Sequence, residues 1–125
     1  MMSFKQKYSF SERYDESLRV LDKYPNRIPV ICECDSKNTT KTFNLKKIKY
    51  LVPNSLTIGQ FVYVLRKQMT LKPEESVFIM INNILPPTAA LMSQIYNTHK
   101  DSDGFLYGAV LRENTFGNGY VEQTT

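Results

Sequence analysis

The chain has 125 residues, 42% of them hydrophobic, and its 16 basic and 12 acidic residues give a formal net charge of +4. A chain of this size buries roughly two thirds of its unfolded surface, so we expect one compact domain. No stretch approaches the ~20 apolar residues of a membrane span, and the amino terminus lacks the apolar core of a signal peptide, which favours a cytosolic protein. The charge favours acidic partners or anionic lipid surfaces but falls short of a dedicated nucleic-acid-binding protein.

The first predicted elements are helical and span residues 3–23. Ser9 and Glu12 have the spacing of a capping box, and Ser3 can cap a short turn over residues 4–8. The apolar residues that recur at helical intervals are Phe10, Tyr14, Leu18 and Leu21. This spacing predicts a surface helix packed on the domain.

Alternating side chains predict the first strand over residues 27–35. Cys32 and Cys34, the only cysteines, share one face of it, and we expect both to be buried and inert. A disulfide framework or a metal site is not expected, because the only histidine, His99, is distant and has no local partner pattern. Ile31 lies on the other face, beside a proline and a glutamate, and is either a scattered surface residue or part of an apolar pocket.

A second strand is predicted over residues 48–52, where Pro53 must end it or lie at a sheet edge, because proline cannot donate a ladder hydrogen bond. Lys49 and Leu51 then lie on the outer face of a strand that has a free edge. Domains that bind extended peptides by strand addition present such a strip.

Thr57 and Gln60, again at capping-box spacing, begin the central helix. Its core-facing residues are predicted to be Ile58, Phe61, Val62 and Leu65. Residues 77–81 form a continuous apolar run and are interpreted as a buried strand.

The last elements are a short helix over residues 89–97 and a strand over residues 105–112. Thr88 is the predicted cap of this helix, and Leu91 and Ile95 are predicted to face the core. Residues 114–125 follow as a tail that has little capacity to pack.

The resulting order is that of an α+β protein: a ubiquitin-like β-grasp, with a four-stranded mixed sheet and a crossing helix, preceded by two N-terminal helices. Six segments occur in order: KYPNRIPVI at 23–31, KYLVP at 49–53, LTIGQF at 56–61, NNILPPT at 82–88, DGFLY at 103–107 and NTFG at 114–117. Together they make the chain similar to the autophagy ubiquitin-like modifiers, the GABARAP-type proteins. The resemblance implies a single domain over residues 1–117 and a removable tail over residues 118–125.

The resemblance also implies a receptor-binding site, in which peptides of the form aromatic-x-x-aliphatic add a strand to the edge of the second strand. The first pocket, for the aromatic side chain, would comprise Glu16, Val20, Pro29, Ile31, Lys49, Leu51 and Phe105. The second pocket, for the aliphatic side chain, would comprise Tyr50, Val52, Pro53, Leu56, Phe61, Val64 and Leu65. Acidic residues that flank the peptide would meet Arg27, Lys46, Lys47, Lys49, Arg66 and Lys67.

The chemistry implied by the resemblance is centred on Gly117, which follows Phe116. A cysteine protease would cut after this glycine, with Gly119 as an alternative cleavage position. Activating and conjugating enzymes would then pass its carboxylate to the amine of phosphatidylethanolamine. The family implies no cofactor, no metal and no catalytic activity of its own, and we expect a monomer that moves from the cytoplasm to the autophagosomal membrane.

Two other functions are open at this point. An enzyme would need a nucleophile built from Cys32 or Cys34 with His99, although both thiols are predicted to face the core. A basic adaptor that binds microtubules or RNA without conjugation is the stronger alternative. Binding to phosphates would fall steeply with salt, which distinguishes it from apolar anchoring in pockets.

Overall fold

A four-stranded mixed sheet and a crossing helix organise the computed structural model, which describes residues 2–35 and 45–114. The elements are α1 (Phe4–Lys7), α2 (Phe10–Lys23), β1 (Arg27–Cys34), β2 (Lys49–Pro53), α3 (Ile58–Lys67), β3 (Glu75–Met80), α4 (Met92–His99) and β4 (Leu106–Asn114). The strand order is β2-β1-β4-β3, with β1 parallel to β4 and both outer strands antiparallel to their neighbours. The predicted β-grasp fold with two N-terminal helices is confirmed.

Side-chain caps begin three of the helices at the predicted residues. Ser3, Ser9 and Thr57 each accept a hydrogen bond from a backbone N–H three residues on, at 3.1 to 3.2 Å. The side chain of each third residue accepts a bond from the cap backbone in return, which completes a capping box. Each cap contributes on the order of 1 kcal/mol to helix stability.

One core lies between the sheet and α3. Ile58, Phe61 and Leu65 are buried there, as predicted from the helical spacing, and Val62 is half-buried. Cys32 is buried in the same core, whereas Cys34, near the end of β1, is only half-buried. Burial, with the nearby charge of Glu33, raises the pKa of the Cys32 thiol, so this thiol stays protonated and unreactive.

The start of α4 differs from the prediction, because Thr88 is not its cap. The helix begins at Met92, and its buried residues are Met92 and Ile95, whereas Leu91 is exposed. The Thr88 carbonyl instead accepts a hydrogen bond of 2.9 Å from the Gly59 backbone at the start of α3. The segment before α4 therefore lies against α3 and cannot begin a helix of its own.

β3 is not the fully buried strand that its apolar run predicted. Val77 and Ile79 are buried, but Phe78 between them is 42% exposed. β3 is an outer strand, paired only with β4, and nothing in the described part of the chain covers its other face at Phe78.

α2 packs on the domain as predicted, but not through its apolar face. Ser17 is its only buried residue within the described structure, while Phe10, Tyr14 and Leu18 are exposed. Separately, no helix in residues 2–35 and 45–114 combines the length and the apolar character needed to span a bilayer.

Candidate peptide-binding site

The outer edge of β2, with which no strand in residues 2–35 and 45–114 pairs, is the backbone element of the candidate site. Cys32 N–H donates to the Ile48 carbonyl at 2.8 Å, and antiparallel pairs alternate between hydrogen-bonded and non-hydrogen-bonded positions. Lys49 and Leu51 fall at non-hydrogen-bonded positions, so their N–H and C=O groups point away from β1. Pro29 pairs with Leu51 at one of these positions, so its missing N–H costs no hydrogen bond between β1 and β2. The edge can therefore accept another strand.

Arg27 contacts this edge directly. Its guanidinium donates to the Leu51 carbonyl at 3.3 Å, from an exposed position opposite Pro53 in the sheet. An added strand would compete with the guanidinium for this carbonyl. Arg27 is thus placed to contact an incoming peptide, either at the peptide backbone or at an acidic side chain of the peptide.

The first predicted pocket lies under α1. Ile31 and Phe105 are buried with Phe4, whose ring meets that of Phe105 edge-on at 5.4 Å. The prediction that Ile31 faces away from the α3 core is confirmed. Of its two predicted roles, that of a scattered surface residue is wrong, because Phe4 covers it. Phe4 is the residue of this site that sequence reasoning missed. Its only signal was a large apolar side chain in a helical turn.

The rim of this first pocket carries a salt bridge. Lys49 Nζ lies 2.8 Å from Glu16 Oε2, and 5.5 and 6.0 Å from the ring centres of Phe4 and Tyr8. The Lys49 side chain is 50% exposed and that of Glu16 is 28% exposed. A pair this open contributes at most about 1 kcal/mol, so the rim can rearrange at low cost.

The remaining first-pocket residues differ in exposure. Pro29 is buried, whereas Val20 and Leu51 are half-buried. Val20 lies one helical turn after Glu16 on α2. The structure thus supplies a buried floor and a partly open rim from four elements, α1, α2, β1 and β2, together with Phe105 just before β4.

The second predicted pocket lies on the opposite face of β2, against α3. Val52, Phe61 and Leu65 are buried and belong to the core, and the Tyr50 ring meets Phe61 edge-on at 5.5 Å. Pro53 and Leu56 are half-buried and Val64 is 37% exposed. The core assignment from strand alternation therefore holds for the floor, and the rest forms the rim of a groove between strand and helix.

The Tyr50 hydroxyl is buried in this groove, and no described residue hydrogen-bonds to it. Burial, reinforced by the nearby Cys32 thiol, raises the pKa of Tyr50 from 10.0 to about 12. The phenol is therefore neutral over the whole physiological range.

A shallow cavity of about 560 Å³ continues this groove around α3. Its lining residues are Leu56, Thr57, Gly59, Gln60, Tyr63, Val64, Thr88 and Ala89. Sequence reasoning did not single out Tyr63, which is 60% exposed on the face of α3 opposite the core. The cavity extends the apolar surface available to a bound segment.

The predicted cations near the β2 edge differ in how available they are to a partner. Lys46 and Lys47 are exposed just before β2, and Lys67 is exposed at the end of α3, with its Nζ 4.7 Å from the Tyr63 ring centre. Arg66 is half-buried and already donates to the Glu75 carbonyl at 3.2 Å. Arg66 is therefore the least available of these residues for a partner.

The predicted conjugation site cannot be placed in the same way. Phe116 and Gly117 lie outside the described residues, and the last of these, Asn114, pairs with Glu75 in the sheet. Within residues 2–35 and 45–114 no group of His, Cys, Asp and Glu side chains is arranged to hold a metal ion.

Comparison with known proteins agrees with this fold. The family described as "Autophagy protein Atg8 ubiquitin like" matches residues 12–117. Autophagy-related protein 8 of Vanderwaltozyma polyspora is 55% identical over 116 residues, which cover 93% of this chain and 97% of that protein. The crystal structure of Trypanosoma brucei ATG8 superposes with a TM-score of 0.83 at 39% identity, covering 94% of this chain and 99% of that one.

A second solved structure is that of Plasmodium falciparum Atg8 in complex with a P. falciparum Atg3 peptide. It matches with a TM-score of 0.77 at 34% identity and covers 91% of this chain and 97% of that one. The chain therefore belongs to the Atg8 family and is a ubiquitin-like modifier of autophagy.

Proposed function

We propose that this modifier is coupled through Gly117 to phosphatidylethanolamine and recruits receptor proteins at the autophagosomal membrane through the β2 edge. The observation that carries the proposal is the outer edge of β2, which no described strand covers and which lies between an apolar cluster on one face and an apolar groove on the other. Before conjugation the protein is a cytoplasmic monomer. It has no catalytic role of its own, which the protonated Cys32 thiol supports.

The spacing of the peptide motif matches the two faces of β2. In an extended strand, successive side chains point to opposite faces, so residues three apart point to opposite sides. The aromatic residue would enter the first pocket beside Leu51 while the aliphatic residue three positions later enters the groove beside Tyr50. Lys46 and Lys47 would meet acidic residues that flank the motif, each pair adding roughly 0.5 kcal/mol.

Conjugation accounts for the tail. A cysteine protease removes residues 118–125, an activating enzyme takes the freed carboxylate to a thioester, and a conjugating enzyme passes it to the lipid amine. The Atg3 peptide bound to the P. falciparum relative supports a conjugating enzyme as a partner of this chain too. A terminal glycine suits such enzymes, because it has no side chain to obstruct a narrow channel.

Peptide titration tests the receptor-binding part of the proposal. A labelled aromatic-x-x-aliphatic peptide with acidic flanks is expected to bind the full chain with micromolar affinity. Leu51→Ala should weaken binding about tenfold or more, because losing the burial of a large apolar side chain is worth roughly 1.5–3 kcal/mol. Phe78→Ala, at an exposed residue of β3, is the matched control and should leave the affinity unchanged. Equal affinities for Leu51→Ala and wild type would exclude β2 as the binding site.

A further inference from the structure

An apolar stripe on α2 faces solvent on a different side of this helix from Glu16 and Val20, the two α2 residues of the β2 site. The stripe consists of Phe10, Tyr14, Leu18 and Leu21. The first three are 47%, 41% and 47% exposed, and the rings of Phe10 and Tyr14 stack with their centres 5.8 Å apart. Exposed apolar groups in a row, rather than scattered singly, mark an interaction surface.

Polar contacts fix this orientation of the helix. Ser17 Oγ donates to the Asp103 carbonyl, and the guanidinium of Arg13 forms a salt bridge with the Asp103 carboxylate. The Ser17 side chain also packs tightly against the backbone of Gly104, where an added Cβ would clash with Ser17 Oγ. The helix therefore cannot rotate to bury the α2 stripe without breaking buried polar bonds.

The α2 stripe has the spacing of a helix-packing seam. Tyr14, Leu18 and Leu21 are four and three residues apart, which is the alternation found in paired helices. Asp15 and Asp22 each follow a seam residue and are exposed, two helical turns or roughly 10 Å apart along the axis. Within residues 2–35 and 45–114 neither carboxylate forms a salt bridge. Such flanking positions set partner choice in helix pairs.

We propose that the α2 stripe docks an amphipathic helix of a partner protein, whose apolar seam is bordered by Lys or Arg at seven-residue spacing. The partner's cations would pair with Asp15 and Asp22. These two carboxylates outnumber the one exposed cation beside them on this side of α2, Arg19, so the border is net negative on a chain whose net charge is +4. At its carboxyl end the seam reaches a cavity of about 230 Å³. Its lining is mixed: Leu21, Pro25, Ile28 and Tyr96 line it together with the polar residues Arg27, Asn54, Ser93 and Asn97.

The acidic border also excludes the other simple occupants. A second copy of α2 packed antiparallel would bring Asp15 of one chain near Asp22 of the other, and like charges at these positions repel. An anionic membrane surface would repel the same carboxylates. Charge complementarity therefore selects a basic helix over a second copy or an anionic bilayer.

The test uses two labelled three-heptad peptides with leucine along the seam, one with lysine and one with glutamate at the flanking positions. Fluorescence anisotropy with the full chain should show about tenfold tighter binding of the lysine peptide, because two ion pairs replace two repulsions. The Asp15→Lys/Asp22→Lys variant should reverse this preference. Leu18→Gln should weaken the lysine peptide about tenfold without shifting the thermal unfolding midpoint, because Leu18 is exposed. Phe78→Gln, at an exposed residue of β3, is the matched control and should have no effect.

Several outcomes would overturn the proposal. Equal binding of the two peptides, or unchanged binding by Leu18→Gln, would exclude the seam. A wild-type dimer in sedimentation that Leu18→Gln dissociates would assign the α2 stripe to self-association, and vesicles of phosphatidylcholine that bind wild type but not Leu18→Gln would assign it to lipid. Titration of the α2 variants with the aromatic-x-x-aliphatic peptide keeps the two proposals separate, since that binding should stay unchanged in all of them.

Discussion

At the scale of single residues, Asp103 decides how the N-terminal helices sit on the sheet. Its side chain is fully buried and accepts hydrogen bonds from the Arg13 guanidinium, the Tyr107 hydroxyl and the Phe105 backbone. Burial and the bond to Asp103 both raise the pKa of Tyr107, so its phenol remains a donor. Burial alone would lower the pKa of Arg13, but its bonds to Tyr107 and Asp103 together raise it.

Arg13→Met should lower the free energy of unfolding by about 3–5 kcal/mol, because it leaves the Asp103 carboxylate buried without its cation. Urea denaturation measures the change. Arg19→Met, at an exposed position of the same helix, is the control and should shift stability by less than about 0.5 kcal/mol. Adding Asp103→Asn to Arg13→Met should restore part of the loss. If Arg13→Met and Arg19→Met were equally stable, the buried pair of Arg13 and Asp103 would not anchor α2.

Tyr50→Phe should leave stability unchanged or raise it by up to about 1 kcal/mol at neutral pH, because it removes a buried hydroxyl that has no described partner. The pH dependence gives a second readout. The folded-state pKa of Tyr50 is raised from 10.0 to about 12. The stability that the neutral phenol contributes is therefore complete below pH 10 and is lost as the pH rises towards 12. Wild type should thus lose more stability than Tyr50→Phe over this interval in unfolding titrations. If wild type and Tyr50→Phe lost the same stability between pH 10 and 12, the raised pKa of Tyr50 would be contradicted.

At the scale of elements, α1 depends on tertiary contacts. A helix of four residues is not stable alone, and α1 is held by Phe4 in its apolar cluster and by two polar bonds. Phe4 N–H donates to Glu33 Oε2 at 2.8 Å, and Lys5 Nζ lies 2.6 Å from Asp101 Oδ1. Burial alone would raise the pKa of Asp101, but its bond to Lys5 lowers it. α1 thus closes one face of the sheet with little structure of its own.

Phe4→Ala should therefore destabilise the protein by about 3 kcal/mol, because it opens a cavity over Ile31 and Phe105. Thermal and urea unfolding both measure this change. Tyr8→Ala removes a ring that contacts Phe4 but is 39% exposed, and it should have the smaller effect. A larger loss for Tyr8→Ala would mean that Phe4 does not cover the cluster as described.

The β2 edge predicts a pattern of backbone sensitivity in the bound peptide. Only alternate N–H groups of an added strand face the neighbouring strand. N-methylation of one peptide residue at a time should therefore weaken binding about tenfold at alternate positions and have little effect at those between. Calorimetric titration of each N-methylated peptide into the wild-type chain measures this series of affinities. Uniform losses, or none, would be incompatible with strand addition to Lys49 and Leu51.

At the scale of the whole molecule, the proposed receptor site and the proposed conjugation chemistry belong to different parts of the chain. The candidate peptide-binding residues lie mostly in the described sheet and helices, whereas Gly117 lies beyond them. Removal of residues 118–125 also removes Glu122, leaving 16 basic and 11 acidic residues, so the net charge rises from +4 to +5. This change is small beside a two-chain lipid, in which each buried methylene contributes about 0.8 kcal/mol to membrane binding.

Gly117→Ala is expected to retain the fold and the peptide affinity but to lose tail removal and membrane attachment. The carbonyl of residue 117 remains an amide while the tail is present, and an amide cannot be adenylated. Intact mass and membrane fractionation, compared with a chain that ends at Gly117, measure the outcome. Membrane-bound Gly117→Ala protein would rule out conjugation through this residue and direct attention to Gly119.

Local signals predicted most of the fold. Capping boxes at Ser9 and Thr57 placed two helix starts correctly, because a cap is satisfied by residues three positions away. The helical spacing of α3 and the ordered motifs were sufficient for the β-grasp architecture and the family. The cap at Thr88 was predicted wrongly because its carbonyl bonds to Gly59, a residue far away in the sequence.

The sequence by itself determined most of the elements and the end of β2 at Pro53. Its resemblance to the family supplied the residues of the candidate site except Phe4. Only the tertiary structure decided which faces are covered. The spacing of Phe10 and Tyr14 predicts a helix that packs on the domain, but the buried bonds of Arg13 and Ser17 to Asp103 place the opposite, polar face of α2 against the domain. Phe4 likewise buries Ile31 from the other side of the sheet. Periodicity identifies the apolar face of an element, whereas coverage depends on partners distant in the chain.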